Sequence, residues 1–160
     1  MQKYNAPAIA ILLVLSATIS AQETKSFVVL PASAALKVCH FCSREGLPRV
    51  AGSWRPTTAQ IELLESRLMD VSRLVSTGEV NGVRISQPAH YHRQYVPVLL
   101  GKQQLIYVNA FSDSPPPTWR TGFVDMCDAD AWGVLYEPRT GHFSDLRINS
   151  ALPPPPPIGS

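Results

Sequence analysis

Little in this chain of 160 residues points to chemistry. Charged residues make up 16%, and the net charge at neutral pH is only +2. Basic residues never occur in runs, which argues against an electrostatic role on nucleic acid or an anionic membrane surface. There is no phosphate-cradling Gly-rich loop, no dinucleotide fingerprint and no G-x-S-x-G nucleophile elbow. Cysteine is scarce, at three residues. No apolar run reaches the roughly 20 residues that a membrane-spanning helix needs.

What is present begins with an export signal. Lys3 gives a short charged start, and Ala6 to Ile19 follows without charge. Small residues then lead to Ala21, after which Glu23 and Lys25 restore polarity. That order reads as a cleavable secretory signal over residues 1–21, with Ala34 as a later alternative cut. The mature protein is therefore expected to be secreted or periplasmic, with no membrane span once the signal is removed. Residues 22–38 read as a loosely held arm or a first edge strand. Residues 39–150 form the folded domain, and Pro153 to Pro157 head a polyproline tail over 151–160 that cannot join a core.

Within the domain one helix stands out. Ile61, Leu64, Leu68, Val71 and Val75 recur at spacings of three and four from Thr57 to about Val75, and Leu63 and Leu74 widen the stripe. Thr57 and Gln60 have capping-box spacing. The remainder reads as strands: Tyr91–Leu100, Leu105–Phe111, Phe123–Cys127, Trp132–Tyr136 and Phe143–Ile148. Pro97 implies an edge or a bulge in the first of these. The expected fold class is α+β, one amphipathic helix packed on a four- to five-stranded antiparallel sheet. This order of elements is similar to the cystatin-like arrangement.

Several strings carry a further resemblance. Cys42-Ser43-Arg44, Gly52-Ser53-Trp54-Arg55-Pro56-Thr57, Leu64-Glu65-Ser66-Arg67-Leu68 and Arg93-Gln94-Tyr95 resemble the pattern of a group of small secreted bacterial proteins of unknown function. Ile106 to Phe111, Val124 to Asp128 and Trp132 to Tyr136 continue it, so that it spans about residues 42–149. The resemblance implies a bacterial periplasmic or extracellular setting and carries no activity.

In an oxidising compartment two of Cys39, Cys42 and Cys127 should pair. Cys42 with Cys127 is preferred, and Cys39 with Cys127 is the near alternative. A loop of that length gives about 4–5 kcal/mol in the chain-entropy model. Cys39-His40-Phe41-Cys42 has C-x-x-C spacing, but Gly46 and Pro48 follow too closely for the helix a redox pair wants. Haem attachment needs a histidine where Ser43 stands, and tetrahedral zinc needs a second ligand pair.

Two functional surfaces are open. His90 and His92, two apart on an expected strand, would share a face and could work with a carboxylate such as Asp125, as a metal pair or a small enzyme site. The plainer reading is two polar residues at a strand start. Alternatively, one helix covers only one sheet face, which leaves Tyr95, Tyr107 and Phe111 on the other. Pro115-Pro116-Pro117 before Trp119 would then stiffen a protruding loop. The leading expectation is a non-catalytic binding or inhibitor-type module with a protein partner, using Tyr95, Tyr107 and Trp119, with no cofactor and no metal. An envelope assembly component, with the proline tail as a spacer, is the third reading.

Overall fold

The computed structural model describes residues 26–40, 50–78, 80–112, 115–125 and 131–148, with the backbone alone at Cys39 and His40. The expected export segment 1–21, the tail 151–160, and both Cys42 and Cys127 lie outside the described residues.

Apolar alternation and well-placed glycines build the centre of the sheet. There are six strands: β1 (Phe27–Val29), β2 (Val50–Gly52), β3 (His92–Leu100), β4 (Gln103–Phe111), β5 (Ala131–Glu137) and β6 (His142–Ile148). β3 and β4 form a hairpin through Gly101-Lys102, where Gly101 takes φ +63°, a value costly for a residue with a Cβ. Val96 lies opposite Tyr107 and Val98 opposite Leu105. β5 adds antiparallel to β4, and β6 to β5, with a register shift at Asp145, the one described non-glycine residue at positive φ.

The expected arrangement, one helix on four or five antiparallel strands, is not what the chain forms. The sheet is mixed, in the order β1-β3-β4-β5-β6, and β1 runs parallel to β3. β2 pairs antiparallel with the far end of that same β3 edge. Two short strands thus share one long neighbour. Phe123–Asp125, expected as strand, lies outside the sheet.

Pro97 explains itself in this layout. The Arg93 N–H donates to the Ser26 carbonyl, and the Tyr95 carbonyl accepts from Leu30 N–H, so odd-numbered residues of β3 present their backbone to the β1/β2 edge. Pro97 therefore faces the gap between β1 and β2, where its missing N–H breaks no ladder bond. Its carbonyl accepts from the Ser53 hydroxyl at 2.6 Å.

The helix is shorter than its apolar stripe. α1 covers Thr58–Ser66 and has the expected capping box: Gln60 N–H donates to Thr57 Oγ1, and Thr57 N–H donates to Gln60 Oε1. It ends where the Ser66 hydroxyl donates back to the Leu63 carbonyl at 2.8 Å and the Arg67 N–H is shared between Leu63 and Leu64. A 3₁₀ segment, Leu68–Arg73, continues the burial of Leu68 and Val71. Leu63 and Val75, expected within the stripe, are 42% and 43% exposed.

Both sheet faces are covered. On one, Ile61, Leu64, Leu68 and Val71 pack over Ile106, Val108, Trp132 and Val134. On the other, a 3₁₀ segment, Ala32–His40, lays Ala34, Ala35 and Val38 over Val96, Val98 and Tyr107. This second cover comes from the segment expected to be a loose arm or a first edge strand, and the same segment also supplies β1. Gly133 is required beneath it: a Cβ there would lie 2.7 Å and 2.8 Å from carbons of the Tyr107 ring.

Candidate functional site

The aromatic surface expected from the sequence does not exist as a patch. Tyr95 and Tyr107 are fully buried, and they sit on opposite faces of the sheet. Trp119 is buried beside Phe111 and Ala131. The loop that carries it is held down by Gln94. The Gln94 amide donates to the carbonyls of Trp119 (2.6 Å) and Gly122 (2.7 Å) and accepts from Val124 N–H (2.9 Å). Asn109 Nδ2 donates both to Gln94 Oε1 and to the Val124 carbonyl. The stretch after the prolines is thus a cover for the second sheet face.

The histidines are separated as well. His90 ends a 3₁₀ turn, Pro88–His90, and is exposed. His92 opens β3 and packs against the rings of Trp119 (5.4 Å) and Phe111 (6.1 Å), with Nδ1 buried and without a hydrogen-bond partner among the described residues. Tyr91, between them, turns its ring onto Trp132. The two histidines therefore do not share a strand face. Among the described residues no group of three or more histidine, cysteine or acidic side chains could hold a metal.

What the fold does assemble is a buried charged cluster that joins two of the quoted strings. Arg93 is 2% exposed, and all five of its guanidinium donors are occupied. Nε donates to Tyr95 Oη (3.1 Å), one terminal nitrogen to the carbonyls of Ala89 (2.8 Å) and Tyr91 (2.6 Å), and the other to Ser26 Oγ (2.8 Å) and Glu65 Oε2 (3.3 Å). The Tyr95 hydroxyl donates in turn to Glu65 Oε1, closing a ring of three side chains. Arg93 comes from β3, Glu65 from α1, and Ser26 from the residue before β1. The cluster ties these elements together, and Arg93 has no donor left for an anion. The sequence signal was a charged residue among inward-facing strand positions. Nothing in the sequence named Glu65 as its partner.

Glu65 also reaches solvent, with its side chain 27% exposed. It lines a groove of about 460 Å³ between α1 and β1, together with Phe27, Val29, Thr58, Ile61 and Glu62. Phe27 stacks on Tyr95 at 5.2 Å and gives the groove an aromatic floor above the cluster. Val29 is 39% exposed.

Two broader clefts lie at the hairpin end of the sheet. One, of about 980 Å³, is bordered by Gln60, Lys102, Gln104 and Arg139, and the other, of about 550 Å³, by Leu135, His142, Ser144 and Asp145. Glu137 borders both. Its carboxyl is held below the usual carboxylate range, mainly by the Thr140 hydroxyl, against an opposing desolvation and with help from Arg139 and Gln103. Asp145 accepts from Arg147 Nε at 3.1 Å. These acids serve turns and the β6 bulge.

Among the described residues no helix is long and apolar enough to cross a membrane. No protein-family model, curated protein or solved structure matches the chain.

Proposed function

We propose that this chain is an exported, non-catalytic binding module that meets a protein partner at the groove between α1 and β1. One observation carries the reading. The buried guanidinium of Arg93 is saturated by groups of the chain itself, with five donors on five internal acceptors. The apolar concavity above it still opens to solvent beside an edge strand. A catalytic site needs polar groups aimed at a substrate, whereas a recognition site needs an apolar floor with a few polar groups at its rim. The groove has the second composition. Export follows from residues 1–21. The enzyme reading built on His90, His92 and Asp125 has less support, since His92 is packed between rings and His90 stands apart from it.

The test is site-specific photocrosslinking of the full chain in its native host. A crosslinking side chain at position 29 or 62 is expected to capture a discrete partner. The same group at exposed Arg139 or Arg73, neither of which lines the groove, is expected to capture none. Equal capture at all four positions, or none at 29 and 62, would remove the reading.

A further inference from the structure

We infer that Asn81-Gly82 is a site of spontaneous deamidation, and that its isoaspartyl product opens the hydrogen-bonded clasp holding this connection against β6. The inference stands apart from the groove and does not rest on the binding-module reading.

The first support is the chemistry of the dipeptide where it stands. Asn-Gly suits a turn, because asparagine tolerates turn geometry and glycine takes positive φ without steric cost. Here Gly82 has φ +82°, and no atom beyond its chain neighbours lies within 4 Å of where a Cβ would stand. Asn81 is exposed, and its side chain makes no hydrogen bond among the described residues. Its amide carbon is therefore open to the backbone nitrogen that follows. That nitrogen attacks Asn81 Cγ, and a new C–N bond closes a five-membered succinimide. The Gly82 N–H proton is lost and the side-chain nitrogen leaves as ammonia. Water then adds to either imide carbonyl and breaks one of the two C–N bonds. One opening gives aspartate. The other gives isoaspartate, whose main chain runs through the former side chain. Water is consumed and ammonia released, with no change of oxidation state. Asn109 is the contrasting case, fully buried, with its amide donating to Gln94 Oε1 and the Val124 carbonyl.

The second support is what the reacting bond adjoins. Ser76 is fully buried and holds the two ends of the connection together. Its N–H donates to the Val83 carbonyl at 2.8 Å, its Oγ accepts from Val83 N–H at 3.0 Å, and its carbonyl accepts from Gly82 N–H at 3.2 Å. The next residue, Thr77, donates its N–H to the Leu146 carbonyl of β6 at 2.9 Å. β6 is terminal in the strand order, so the clasp lays backbone along an outer edge, a common guard against strand addition. All three clasp bonds end on the two residues just after Asn81. The bond from Gly82 N–H is the longest, and it must be released before attack, so the clasp sets the rate. An isoaspartyl residue adds an atom to the main chain immediately before these groups. Gly82 and Val83 then lose register with Ser76.

The test incubates the full chain at neutral and mildly alkaline pH beside a synthetic peptide of residues 78–86. Peptide mapping in oxygen-labelled water is expected to show ammonia loss and label at Asn81, with isoaspartate in excess of aspartate. Conversion should be faster at the higher pH, where the attacking nitrogen loses its proton more readily, and Asn109 should stay intact. Ser76→Ala removes an acceptor from Val83 N–H and should speed conversion about fivefold. After conversion, amide exchange is expected to rise about tenfold at Thr77 and Val83 and to stay unchanged in β3 and β4. Asn81→Gln should keep both amides protected over the same period. Asn81→Asp carries the charge without the added main-chain atom and should keep them protected too. Conversion more than about 100-fold slower than in the peptide, or conversion that leaves Thr77 and Val83 protected, would overturn the inference. Equal opening by Asn81→Asp would overturn it as well, by assigning the effect to charge alone.

Discussion

Replacing Arg93 by methionine keeps the apolar stem and removes the guanidinium, which makes it the sharpest test of the cluster beneath the groove. The substitution strips a donor from the carbonyls of Ala89 and Tyr91, from Ser26 Oγ and from Tyr95 Oη, and it removes the Arg93 guanidinium from Glu65. Removing one partner of a buried pair costs about 3–5 kcal/mol, because the other groups stay buried and unanswered. For a domain of this size each kcal/mol shifts Tm by about 3–5 °C, so a fall of about 10–20 °C is expected. Glu65→Gln should cost less, about 1–2 kcal/mol, since the amide can still accept and the site is partly wet. Tyr95→Phe removes the hydrogen bond to the Glu65 carboxylate together with the acceptor of Arg93 Nε, and should cost at least about 1.5–3 kcal/mol. Urea unfolding of the three single variants and the Arg93→Met/Glu65→Gln double variant measures the coupling, expected to exceed about 1 kcal/mol. If Arg93→Met lies within about 1 kcal/mol of wild type, or adds to Glu65→Gln within about 0.5 kcal/mol, the cluster is not a lock. Should Arg93→Met fail to fold, the other two variants still carry the test.

Gly133→Ala forces a Cβ into the Tyr107 ring and should destabilise by about 1–3 kcal/mol, with partial recovery in Gly133→Ala/Tyr107→Leu. Tyr136 carries a buried hydroxyl with no hydrogen-bond partner among the described residues, and burial raises its pKa above 10.0 against a smaller lowering by Arg67. Tyr136→Phe should therefore stabilise the fold by about 1 kcal/mol at neutral pH. Since the folded pKa is the higher one, wild-type stability should fall as pH rises through 10, and the variant should lose less in chemical denaturation there. At Glu137 the folded pKa is the lower one, so its contribution is present above about pH 4.5 and is lost on acidification through the folded value. Carboxyl titration by NMR should show this pKa rising more in Thr140→Val than in Arg139→Ala. Non-reducing peptide mapping of the protein from an oxidising compartment is expected to show Cys42 linked to Cys127, and a Cys39–Cys42 link would favour redox chemistry instead.

The parts legible in the sequence are those set by neighbours along the chain. The Thr57–Gln60 capping box and the β3–β4 alternation are local choices, and they appear where the residues imply. β1 and β2 were not legible as a pair of edges. Three residues carry no period, and their pairing with β3 joins segments more than 40 positions apart. The second sheet cover was missed for a related reason. Ala34 and Ala35 contribute little hydrophobic signal, yet small side chains let a 3₁₀ segment lie close on Val96 and Tyr107. The groove and its cluster draw on residues 26–29, 58–65 and 93–95, so no local motif could announce them.

From sequence alone came the export signal expected at residues 1–21, the absence of any known catalytic or phosphate-binding motif, and four of the six strands. Tertiary structure alone decided which face each aromatic residue takes, and it placed Tyr95 and Tyr107 on opposite sides of a sheet covered on both. It also set Arg93 against Glu65 and left the α1–β1 groove open. The division follows the range of the forces. Caps, turns and alternation are fixed by interactions within a few residues, whereas burial, ion pairing and open edges depend on which distant segments reach the same strand.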